Sequence, residues 1–117
     1  MLESLKEKAI ALADEIAKLD EYMEFVECER ALRDDDVAQQ LLVDFQQKQQ
    51  EFVAKQMSGE FDQDLMNELT EIQSKLSARE SVTNFIEAYN KLLTTLAEVL
   101  DLIGERLNIN LAEVYRR

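Results

Sequence analysis

SVTNFIEAYNKLLTTLAEVLDLIGERL, residues 81–107, carries apolar side chains at three of every seven positions. Val82, Tyr89, Leu96 and Ile103 form one seven-residue file, Phe85, Leu92 and Val99 a second, and Ile86, Leu93, Leu100 and Leu107 a third. At about 100° per residue, these files and the neighbouring small or polar one of Thr83, Asn90, Ala97 and Gly104 cover about 160° of a helix. One neighbouring helix cannot cover that arc. The reading is a helix about 40 Å long, packed on one side by its own chain and on another by a second copy. Phe85, Tyr89, Leu92, Leu96, Val99 and Ile103 are the expected self-association residues.

Outward from this stretch, the rest of the chain also reads as helix. Its 117 residues include no proline and two glycines, Gly59 and Gly104, whereas sheets and long loops draw heavily on both residue types. In the first helix Leu2, Leu5, Ala9, Leu12, Ile16 and Leu19 step by threes and fours, a narrow seam of the kind used to pair helices, with a Ser4 to Glu7 capping-box pattern near its start. Asp20 offers a cap for a second helix with Tyr22, Phe25, Val26 and Leu32 on its apolar side.

Asp34, Asp35 and Asp36 supply acidic caps for a third helix over about 35 to 57, which Ser58-Gly59 ends, because glycine accepts the left-handed backbone of a helix stop. A fourth helix, about 62 to 77, follows an Asp62 cap with Leu65, Leu69, Ile72 and Leu76 on one face. Ser77 and Glu80 form a second capping-box pattern before the long helix. Beyond Leu107, Asn108 and Asn110 weaken it, and Leu111, Val114 and Tyr115 are expected to fold back. The expected fold is all-α, an antiparallel bundle of about five helices in a single domain over 1–117, closed by a long coiled-coil-like helix, with helices three and four as a hairpin.

Several functions are disfavoured by residue type. Histidine is absent, which removes imidazole-assisted nucleophiles, the usual zinc ligand sets and the Glu-x-x-His pairs of di-iron bundles. Carboxylate pairs such as Asp14-Glu15 fall on outer helical faces, away from any cleft that would push their pKa values apart. Asp34 to Asp36 lack the glycine and alternating ligands of a calcium loop. Cys28 lies between Glu27 and Glu29, where negative neighbours make a thiolate scarce; a lone cysteine suits a reducing compartment. No catalytic residue, metal site or cofactor is expected, and the chain is read as not an enzyme.

The net charge is −12, and residues 14–36 hold ten acidic side chains against Lys18, Arg30 and Arg33. Such a field disfavours nucleic acid and anionic membranes, and it favours solubility and a basic partner protein. No window approaches a membrane span and the amino terminus lacks a signal-peptide core, so a cytoplasmic location is expected. Gln49 and Gln56 lie on the inward line of helix three at 38, 42, 45, 49, 52 and 56. Buried, they would need partners and could set register; on a drifting stripe, they would reach water.

The order of helices, LDEY at 19–22, FQQKQQEFVAKQMSGE at 45–60 and NLAEVY at 110–115 together resemble the YlbF/YmcA family of small bacterial helical regulators, in particular its short YheA-type members. The resemblance spans nearly the whole chain. It implies an all-helical protein that self-associates through long helices in the bacterial cytoplasm. Relatives act in control of competence, sporulation and biofilm development, as non-catalytic subunits that work with partner proteins on RNA processing. Some such complexes hold an iron–sulfur cluster on several cysteines, and Cys28 alone does not match that set, so cluster binding is not carried over. The resulting expectation is a non-enzymatic adaptor that forms a homodimer or larger homo-oligomer and contacts another protein. The rival is a holdase-like helical clamp that grips amphipathic or unfolded segments.

Overall fold

In the computed structural model, which describes residues 2–109, five α-helices and no strand are found, and 87% of the described residues are helical. They are α1 (Leu2–Ile16), α2 (Asp20–Arg33), α3 (Asp36–Met57), α4 (Gln63–Ser77) and α5 (Glu80–Leu107). The expected all-α class stands. The fold-back of Leu111, Val114 and Tyr115 lies outside the described residues.

Local chemistry sets the helix ends. Asp35 has an extended backbone and its side chain accepts from the Ala38 N–H, so it caps α3; Asp62 caps α4 in the same way through Leu65 N–H. At the end of α3, Gly59 takes a φ of +83°, the Gly59 N–H donates to Gln56 and the Glu60 N–H to Lys55. This is the glycine stop with its two crossing hydrogen bonds. Asn108, at φ 60°, ends α5 by the same device, with Asn108 N–H donating to Glu105 and Ile109 N–H to Gly104.

Three starts differ from expectation. α1 begins at Leu2, so Ser4 lies inside its first turn. Ser77 is the last residue of α4, and it is the Arg79 carbonyl that accepts the first α5 bonds, from Val82 and Thr83. The Ser77–Glu80 box is not used because the helix starts two residues later than the pattern implies, with Arg79 and not Ser77 at the cap position. Likewise Asp20 opens α2, with Leu19 supplying the first acceptor.

Among the described residues, contacts group the chain into two units, residues 28–86 and residues 2–27 with 87–109, and α2 and α5 contribute to both. The first unit holds the better core. α3 and α4 form the expected hairpin, with Phe52, Leu65 and Leu69 buried together and Phe45 and Met66 against them. Ala38, Ile72, Leu76 and Val82 form a second cluster with Leu32, Leu41 and Phe45, joining the end of α2 and the start of α5 to the hairpin. Phe61 meets Phe52 edge to face at 5.7 Å, and Lys55 Nζ donates to Asp62 at 2.7 Å across the loop. In the second unit α2 and α5 meet through Phe25 and Tyr89, whose rings lie 6.0 Å apart, and through a Thr95 hydroxyl donating to Glu21 at 3.0 Å.

Candidate interaction surface

α1 is amphipathic, yet none of its residues is buried. Leu2, Leu5, Ile10 and Leu12 are all exposed, Leu5 by 65%. A helix of 15 residues is marginal alone in water, so its stability depends on what its apolar side touches. Beside it stand Leu102, Ile103 and Leu107 of α5, also exposed. Together with Leu5, Ala9 and Leu12 they line an open groove of about 550 Å³. Its charged lining residues, Lys8 and Arg106, are both cations, although acidic side chains outnumber basic ones 25 to 13 in the chain.

The six residues expected at a self-contact are divided by the structure. Leu92 is buried, and Phe85, Leu96 and Val99 are half-buried within the chain itself, whereas Tyr89 and Ile103 are exposed. The file of α5 that stays largely outside is the third, with Ile86, Leu93 and Leu107 exposed and Leu100 half-buried. Gln49 and Gln56 are both exposed, so in this chain both amides reach water. Gln49 sits with Val53, Ala54 and Met57 on the outer side of α3, where Met57 is 84% exposed.

The most strongly perturbed titratable group is Asp35. Its Oδ1 accepts from Arg79 Nη2 at 2.9 Å and from Ala38 N–H at 3.1 Å, and its Oδ2 from Arg79 Nε at 2.9 Å and Ser81 Oγ at 2.6 Å. Arg79, then Ser81 and the Ala38 N–H, hold this carboxyl well below the usual carboxylate range. A carboxylate so fully engaged has no lone pair left for a substrate, and it works as a clasp binding the starts of α3 and α5. Nearby, the Gln39 side chain donates to the Leu32 carbonyl at 2.9 Å and closes the end of α2. Lys55 holds Asp62 low, assisted by the Leu65 N–H, and Asp62 in turn raises Lys55.

Sequence reasoning missed both the clasp and the α1 groove. The clasp partners are 44 and 46 residues from Asp35, beyond any local pattern. The groove did leave a signal, since the narrow seam of α1 is the spacing of a helix that pairs with another helix. Among the described residues no three His, Cys, Asp or Glu side chains gather as a metal site, and no helix is long and apolar enough to cross a membrane. Cys28 is half-buried.

The outstanding surface of this helical scaffold is apolar and open. The family model described as control of competence regulator ComK, YlbF/YmcA, matches residues 5–108, and the chain belongs to this family of regulatory proteins. It is 29% identical over 105 residues to a UPF0342 protein of Desulfitobacterium hafniense strain Y51, covering 89% of this chain and 85% of that one. Its fold is similar to a chain in the crystal structure of Bacillus subtilis RicA in complex with RicF. There the TM-score is 0.80 at 24% identity, over 90% of this chain and 94% of the other.

Proposed function

We propose that this protein is a non-catalytic regulatory adaptor of the bacterial cytoplasm that acts by holding other protein chains, copies of itself first among them. The observation that carries this reading is α1, a helix with a clear apolar side and no buried residue. Tyr89 and Ile103, continued by Ile86, Leu93 and Leu107, provide the remaining apolar surface for a copy. The regulatory family supports an adaptor, and the related RicA structure is of a protein in complex with a different protein, RicF. The acidic field of charge −12 suits a basic partner surface for the second contact.

Light scattering on a sizing column tests the self-associating part. At micromolar concentration the expected mass is a multiple of 13.6 kDa, and a monomer would remove this part of the reading. The exposed Met57, Val53 and Leu5 also favour the second reading, a clamp for unfolded or amphipathic segments. Suppression of aggregation of an unfolded client by the assembled protein would favour the clamp; no suppression leaves the adaptor.

A further inference from the structure

We infer that the α1–α5 groove is the seat of α1 from a second copy, laid antiparallel to the first α1 about a two-fold axis. This deepens the self-associating reading above and rests on it. Two neighbouring helices that leave an apolar groove between them are completed by a third, and in an isologous pair each copy both fills a groove and has one filled.

Spacing and charge identify the occupant as this same helix, reversed. Leu5, Ala9, Leu12 and Ile16 step by four, three and four, so the stripe reads alike in both directions. Reversed on itself, it sets Leu5 against Ile16 of the copy and Ala9 against Leu12, the second pair placing a small residue opposite a large one. Lys8 and Glu15, two turns apart, lie on the same edge of this stripe and both are exposed. An antiparallel pair about a two-fold brings like edges together in opposite order, so Lys8 of each copy meets Glu15 of the other. A parallel pair would turn Lys8 toward the opposite edge, which carries Lys6. Glu15 is already near Lys18 at 3.5 Å, but both side chains are 73% exposed, so that contact yields readily.

The test uses the full chain in a Cys28→Ser background, with Leu5→Cys in one preparation and Ile16→Cys in another. Leu5 makes no buried contact, so its replacement leaves the fold in place, which circular dichroism checks for both proteins. Alone, each carries cysteines that the antiparallel arrangement holds about 16 Å apart along the axis, beyond disulfide reach. Refolded together and oxidised, the two should yield a covalent dimer that neither forms alone.

Cross-linking of either protein with itself would overturn the antiparallel arrangement. A non-covalent oligomer with no cross-link in the mixture would overturn this seat while leaving self-association intact, whereas a monomer by light scattering would remove both. Lys8→Glu and Glu15→Lys provide an independent measure. Each should weaken the assembly by about three- to tenfold at low salt, and the double exchange should restore it; no restoration would overturn the register.

Discussion

Asp35 does two jobs with one carboxylate: it caps α3 through the Ala38 N–H and it receives the Arg79 guanidinium and the Ser81 hydroxyl. Because these donors favour the charged form, its folded pKa is below its unfolded one. The stability it contributes is complete above the ordinary carboxylate range, about pH 4, and is lost as pH falls from there toward the folded value. Asp62 contributes with the same sign. Lys55 has the opposite sense, its raised pKa adding stability that is lost only as pH climbs through and past 10.5. Urea midpoints should therefore fall between pH 5 and pH 3, and Asp35→Asn should be less stable at pH 7 with a flatter acid dependence. Arg79→Lys, which cannot supply the paired N–H donors, should lower the midpoint at pH 7 as well.

Individual helices show what could be read locally and what could not. Asp35, Asp62 and Gly59 were legible as caps and stop because each acts on residues within four positions of itself. Gly59→Ala should cost about 1 kcal/mol by chemical denaturation. A Cβ there meets nothing within 4 Å, so the left-handed backbone alone sets the loss. The hairpin core was legible too, since Leu65, Leu69, Ile72 and Leu76 recur at helical spacing and all are buried. Leu69→Ala should lower unfolding free energy by about 2–5 kcal/mol. The outward side of α5 was not legible. Its three files are adjacent and similarly apolar, and periodicity cannot rank them; only the position of neighbours such as Glu21, Glu24 and Phe25 on α2 decides which side turns inward. The amides of Gln49 and Gln56 pose the same problem in α3, where the inward stripe moves off their line.

For the molecule as a whole, the family and helical class follow from patterns spread along the chain, while the interaction surface depends on which apolar residues remain outside once each unit has packed. Those lie on α1, on the outer file of α5 and along α3, where Val37, Leu42, Val43, Val53 and Met57 are exposed. Ile86→Asp and Leu93→Asp should leave helicity nearly unchanged while weakening self-association on a sizing column, because both side chains lie on the outside of the single chain. If either collapses the helical signal, that file belongs to the core instead. By contrast, Leu92→Asp puts a charge into a buried site and should unfold the chain.

The bare state of α1 has a kinetic consequence. A helix anchored by no buried side chain opens often, so its backbone amides should swap protons for deuterium far sooner than those around Leu69. That difference makes residues 2–16 a built-in gauge of occupancy. Raising protein concentration should slow their deuterium uptake and their nicking by trypsin at Lys6 and Lys8, while the hairpin signal stays constant.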